Sequence, residues 1–455
     1  MTKAKSIALI LSAAAVIPAS ADPNGWRGRI LDRKGRVLAE GYSNFRLYPF
    51  VSVAGHLIGF VYREESAPYS GLEGRAGVEK TAEETLGAGR DLQLTIDLEK
   101  QFVVESVLRE NGVGRGAVVV LDPSNGDVLA MASVPSYDPN VWVGGIREED
   151  FRGLEDDPTK PLFNRALRAY PPGSVFKVVA ALAGGQLHHR HVCEATREID
   201  GSTFRCWYRR GHGDLGLREA FIRSCNCYFY DVGIEAGVQR LHDVAVQLGL
   251  GMGTGIESTF EAETLIPNNA YFTGQGLVPK PAHAANLAIG QTPTTVTPTQ
   301  LATVAAVVAN GGIRHPPRLF LGRKPIAPIN VGPQLDGALF GLVRESMRKV
   351  VIDSWGTATT ADTDRIAIAG KTGTAQWKIE DEWQHVGHFI GFAPYKSPRY
   401  AFCVSIEGAK SAGGVCAPLA RQILERFARI DSGESVRLAP LEPAKGHLER
   451  IRSIE

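Results

Sequence analysis

Pro171-Pro172-Gly173-Ser174-Val175-Phe176-Lys177 runs directly into the apolar stretch Val178–Ala183. The prolines set the entry of a helix, so Ser174 falls at its N-terminal end with Lys177 one turn on along the same face. A serine hydroxyl is a weak nucleophile until a neighbouring base takes its proton, and a lysine desolvated in a cleft can have its pKa lowered enough to do so. Alone the pattern is weak. A chain of 455 residues holds on the order of one Ser-x-x-Lys by chance, and a helix cap followed by a solvated lysine would look the same.

Two further segments share this chemistry. Ser224-Cys225-Asn226 lies between expected helices at Leu217–Arg223 and Cys227–Gly233, where a short polar tip can enter a cleft. Ser224 could relay a proton there and Asn226 could hold a substrate amide; a connector with a local side-chain-to-backbone bond is the plainer reading. Lys371-Thr372-Gly373-Thr374 follows an expected strand at Ile366–Ala369. Gly373 permits close approach by a ligand backbone, Lys371 offers a cation for a carboxylate, and the Thr372 and Thr374 hydroxyls can hydrogen-bond it. An exposed polar edge strand is the alternative.

Around these motifs the hydrophobic pattern gives the architecture. Leu98 and Phe102, Val103 and Val107, and Val104 and Leu108 recur at four-residue spacing behind Asp97, which reads as a capped amphipathic helix. Ala117–Leu121 and Val128–Ala132 flank a turn containing Asn125-Gly126 and so form a hairpin. Helical segments follow, and strand patterns return at Phe389–Ala393 and Tyr400–Ile406 before a helix from Ala417 to about Ile430. Two early and three late strands with helices between them predict an α+β fold with one mainly antiparallel sheet assembled from both ends of the domain. Residues 22–94 read as a small β-rich unit, 95–435 as the main domain and 436–455 as a tail.

Lys+Arg number 50 and Asp+Glu 49, a net charge of +1, so no overall field draws in nucleic acid. Lys3 and Lys5 precede an uncharged run, Ser6–Ile17, and then Ala19-x-Ala21. That is the grammar of a signal peptide: the run is shorter than the ~20 residues of a membrane span. Residues 1–21 are therefore expected to be a cleaved signal or a short retained anchor, and the remainder an exported body.

Ser-x-x-Lys, Ser-x-Asn and Lys-Thr-Gly, in this order and on helix, loop and strand, form the constellation of the penicilloyl-serine enzymes. Arg27–Ala39, Leu94–Asp97, Gly116–Ala132 and His388–Pro394 further resemble class B penicillin-binding proteins over nearly the whole chain after residue 22. The resemblance implies a five-stranded antiparallel sheet between helical layers, a small N-terminal pedestal, and D,D-transpeptidase activity on D-Ala-D-Ala stem peptides of peptidoglycan. It implies Ser174 as nucleophile, Lys177 as its base, and Ser224 with Asn226 as the second wall. Lys371, Thr372, Gly373 and Thr374 would line the carboxylate side, with the Ser174 and Thr374 N–H groups as oxyanion hole. β-Lactams would acylate Ser174, no cofactor would enter the chemistry, and the enzyme would work at the periplasmic face of the cytoplasmic membrane, beside a membrane glycosyltransferase. The stretch from Trp26 to Leu94 is shorter than the family's usual pedestal. A D,D-carboxypeptidase, a serine β-lactamase or β-lactam sensor, and a non-catalytic scaffold of the wall-building machinery are the other readings.

Cys193, Cys206, His212 and Cys225 fall within 33 residues, separated by twelve, five and twelve residues. Three thiolates and an imidazole make a complete tetrahedral zinc set. A Cys193–Cys206 disulfide or unlinked thiols are the alternatives in an exported protein. Cys227, Cys403 and Cys416 read as small buried residues.

Overall fold

The computed structural model describes residues 25–442 apart from 43, 63–71, 186–188, 258–259, 292 and 380–381. The expected signal or anchor, residues 1–21, lies outside the described residues. Among these, no helix is long and apolar enough to cross a membrane.

An N-terminal sheet is built from β1 (Trp26–Leu31), β2 (Val37–Tyr42), β3 (Phe45–Leu47) and β4 (Leu92–Gln93), in the order β3-β2-β1-β4. So small a unit buries little apolar surface, and part of its interior is ionic. Glu79, fully buried, accepts from Arg27 at 2.9 Å and Arg46 at 2.7 Å, with the Tyr48 hydroxyl at 3.2 Å. Removing one partner of such a buried set typically costs ~3–5 kcal/mol, because a charge is stranded. The unit leads into α1 (Leu98–Glu110), whose first N–H groups are capped by the Asp97 carboxylate, as its spacing predicts.

The large sheet contains β5 (Gly116–Leu121), β6 (Val128–Val134), β7 (Ala369–Ile379), β8 (Glu382–Ala393) and β9 (Tyr400–Glu407), all antiparallel in the order β7-β8-β9-β5-β6. The expected sheet is therefore present, its halves joined where β9 pairs with β5. Val118, Val119 and Val120 are all buried, a continuous apolar run because both faces of the strand are covered. Helix α4 (Pro298–Ala309) has every residue buried and packs on β9, β8 and β5; α1 and α6 (Ala412–Asp431) pack elsewhere on the sheet.

Three boundaries correct the sequence reading. Lys371–Thr374 lies inside β7, not after a strand that ends at Ala369, and its partner β8 begins at Glu382, seven residues before Phe389. Helix α6 begins at Ala412, not Ala417, where Ser411 Oγ accepts from Gly414 N–H. The helix after Ser224-Cys225-Asn226, α3, runs from Asn226 to Gln247 with a break at Gly237, far beyond the expected Gly233.

Candidate active site

Gly173–Phe176 is a single 3₁₀ turn that runs into α2 (Lys177–Gly184), so Ser174 stands at the helix entrance and Lys177 in its first turn. The turn is pressed against β7. A Cβ on Gly373 would come within 2.7 Å of Val175 N and 2.8 Å of Pro172 O. The glycine of Lys-Thr-Gly thus admits the turn that carries Ser174, a closer reason than ligand approach. From β8, buried His388 holds the same turn, with Nε2 3.1 Å from the Pro171 carbonyl and Nδ1 2.8 Å from Ser405 Oγ on β9. Burial lowers its pKa to about 4, so the ring is neutral at physiological pH.

Ser224 is the meeting point of the other motifs. Its backbone sits in the left-handed region, φ 54°, an uncommon conformation for a residue with a side chain. Lys177 Nζ lies 2.8 Å from the Ser224 carbonyl, 3.2 Å from Ser224 Oγ and 2.7 Å from Asn226 Oδ1; none of these three bonds goes to Ser174. Lys371 Nζ donates to Ser224 Oγ at 2.9 Å and to the Thr372 carbonyl at 3.0 Å. Both lysines are fully buried. Burial lowers the Lys177 pKa to about 8, against a smaller upward pull from nearby thiols. The Lys371 pKa is driven well below its ordinary value by burial, then by the charge of Lys177.

Ser174, Ser224, Asn226, Thr372, Gly373 and Thr374 line one cleft of about 440 Å³. Lys371 stays beneath its floor. Thr372 Oγ1 meets Thr357 Oγ1 at 2.5 Å, and Thr374 Oγ1 accepts from Ala412 N–H at 3.2 Å, so both hydroxyls are oriented by neighbouring loops. The sequence reading missed Trp207, Gln291, Thr357, Lys410 and Ser411, which line the same cleft. Trp207 alone carried a signal, since it follows Cys206 directly.

Cys193, Cys206, His212 and Cys225 are all buried, with donor atoms within 4.8 Å of one another. His212 Nδ1 lies 3.7 Å from Cys193 Sγ and 3.5 Å from Cys206 Sγ. All six cysteines are free, so no bond joins Cys193 to Cys206. The S–H groups of Cys225 and Cys227 donate to Cys206 and pull its pKa down, while their own are pushed up by the same contacts.

Residues 116–425 match the family model of the penicillin binding protein transpeptidase domain. The chain belongs to that family. Peptidoglycan D,D-transpeptidase MrdA of Acinetobacter baumannii is 32% identical, over 84% of this chain and 65% of the relative. A crystal structure of Pseudomonas aeruginosa PBP2 in complex with WCK 5153 superposes with a TM-score of 0.81 at 34% identity, covering 89% of this chain and 96% of that one. Penicillin-binding protein A of Mycobacterium tuberculosis, in a ceftriaxone acyl-enzyme complex, gives a TM-score of 0.75 at 26% identity, over 89% and 98% of the two chains. The matched MrdA proteins are longer: this penicillin-binding protein spans 65% of the Acinetobacter relative and 56% of the one from Haemophilus influenzae.

Proposed function

We propose that the protein is a peptidoglycan D,D-transpeptidase of class B that cross-links stem peptides through an acyl-serine intermediate and is acylated by β-lactams. The observation that carries this reading is the convergence of Lys177, Lys371 and Asn226 around Ser224, in the cleft that Ser174 lines. Residues 95–435 act as the transpeptidase domain, residues 22–94 as an abridged pedestal and residues 436–455 as a tail.

Neutral Lys177 takes the Ser174 proton as Oγ attacks the carbonyl of the penultimate D-Ala. With a pKa of about 8, roughly a tenth of Lys177 is in the basic form at pH 7. The Ser174 and Thr374 N–H groups receive the oxyanion, a stabilisation typically worth ~3–4 kcal/mol per donor. Ser224, hydrogen-bonded to both lysines, relays the proton now on Lys177 to the departing terminal D-Ala amine. Thr372 and Thr374 take the terminal carboxylate, with Lys371 supporting them through Ser224 and the Thr372 carbonyl. An amine of a neighbouring strand then attacks the ester, releases Ser174 and completes the cross-link.

No cofactor enters this chemistry. Cys193, Cys206, His212 and Cys225 fit a structural Zn²⁺: the sulfur-to-nitrogen separations match the ~3.5–3.8 Å edges of a tetrahedron with metal–ligand bonds of ~2.0–2.3 Å. The ion would pin the middle residue of Ser224-Cys225-Asn226 to the 193–212 segment. Export to the periplasmic face of the cytoplasmic membrane, and work beside a membrane glycosyltransferase, follow from the signal-like N-terminus and the substrate.

Intact-protein mass spectrometry after incubation with benzylpenicillin tests the assignment. One adduct is expected, absent in Ser174→Ala; an unchanged mass in folded wild-type protein overturns it. Products made from a stem pentapeptide with and without an acceptor amine separate transpeptidase from carboxypeptidase.

A further inference from the structure

Among the described residues that line the catalytic cleft, Lys410 is the one with a formal charge, and none is Asp or Glu. Its side chain is exposed. Among the described residues it makes no hydrogen bond or ion pair, and it is not one of those with further contacts. The nearest acid in sequence, Glu407, is already occupied by Arg165 at 2.9 Å, Arg115 at 3.3 Å and the Tyr170 hydroxyl at 2.7 Å.

The loop that carries Lys410 is fixed on both sides. Gly408 N–H donates to the His385 carbonyl at 2.7 Å, and Ala412 N–H donates to Thr374 Oγ1 at 3.2 Å. Between them, Ala409 is packed so tightly over Gly387 that a Cβ there would lie 2.9 Å from its methyl. The backbone of Lys410 is therefore held at a set distance from the strand on which substrate lies, while the ammonium is left without a protein partner. An unpaired cation on a fixed backbone, at the wall of a cleft whose described lining holds no acid, is complementary to an anion on the substrate.

We propose that Lys410 is a specificity determinant that receives a second carboxylate of the acyl donor, carried on the residue preceding the reacting D-Ala. The inference rests on the transpeptidase reading above and adds to it the charge of the preferred donor: a peptide with a side-chain carboxylate over its neutral counterpart.

The test compares two penicillins that differ by one carboxylate, benzylpenicillin and its α-carboxy analogue carbenicillin, in second-order acylation rates followed by intact mass. In the wild type, Lys410 favours carbenicillin relative to its rate in Lys410→Gln by about two- to fivefold, the range of a partly exposed ion pair. The carbenicillin-to-benzylpenicillin ratio therefore falls by that factor in Lys410→Gln, falls further in Lys410→Glu, and is kept in Lys410→Arg. Added salt shrinks the wild-type ratio toward that of Lys410→Gln. A ratio unchanged across all four proteins overturns the inference while leaving the transpeptidase reading intact; that is also the result expected if Lys410 serves an acceptor strand or only solvent. If neither penicillin forms an adduct with the wild type, the underlying reading fails and takes this inference with it.

Discussion

Trp207 Nε1 donates to the Ser224 carbonyl at 3.0 Å, the same oxygen that receives Lys177 Nζ at 2.8 Å. The indole also reaches the Arg223 carbonyl at 3.1 Å, so its N–H braces the left-handed turn from outside while Lys177 grips it from within. A non-glycine residue in that conformation costs ~1–2 kcal/mol, which such bonds offset. Trp207→Phe keeps the ring that lines the cleft and removes the N–H. Acylation by benzylpenicillin should slow about fivefold, the value of one lost hydrogen bond of ~1 kcal/mol, with thermal stability little changed. An unchanged acylation rate would remove the indole from the positioning of Ser224.

Lys177 and Lys371 have the same chemistry and different neighbours, and their variants should part accordingly. Lys177→Ala abolishes acylation, because it removes the base one helix turn from Ser174 on which this reading relies. Lys371→Ala removes the two hydrogen bonds given to Ser224 Oγ and the Thr372 carbonyl beneath the carboxylate pocket, at a cost of about 2–4 kcal/mol, or about 30- to 1000-fold in acylation rate. Rapid-quench mass spectrometry distinguishes the two. Equal residual rates in both variants would deny the division of labour.

Burial disfavours the ammonium form of Lys177 and brings its pKa to about 8. Because the base must be neutral, the acylation rate should rise about tenfold per pH unit below that value and level off above it. The midpoint of that rise marks the titration of Lys177. A pH profile of benzylpenicillin acylation between pH 5.5 and 9.5 reads it; a flat profile would mean that another group takes the Ser174 proton.

The three motifs were legible because each is a short run whose spacing survives in one dimension. Ser174 and Lys177 needed only a helix turn, and Ser224 with Asn226 only a tight connector. The strand expected at Ile366–Ala369 was placed ahead of the observed one, which begins at Ala369, because Gly370 and Gly373 lower β-propensity, and only pairing with β8 shows that a Cβ at Gly373 would strike the Ser174 turn. The start of α6 was hidden by Gly413, Gly414 and Pro418, residues that ordinarily end helices. His388 and Lys410 could not be read at all. The role of His388 follows from register, opposite Gly373 and Ser405, and that of Lys410 from a loop folding back over β7.

The cysteine cluster supplies the last prediction. Four buried donors within 4.8 Å of one another leave three thiols and an imidazole in a small space without disulfides, an arrangement that a divalent ion stabilises by binding the folded state. Purified protein should carry about one zinc per chain, and its cysteines should resist thiol reagents until a chelator is added. His212→Ala removes one ligand from the 193–212 segment but touches neither Ser174 nor Lys177. Metal content should drop, commonly by 10- to 100-fold in affinity for a disturbed site, and acylation should slow as Cys225 loosens between Ser224 and Asn226. The two readouts must move together if the ion acts through that loop. A full complement of zinc in His212→Ala would show that the imidazole is no ligand, and zinc-free wild-type protein that acylates at full rate would leave the thiols a packing role alone.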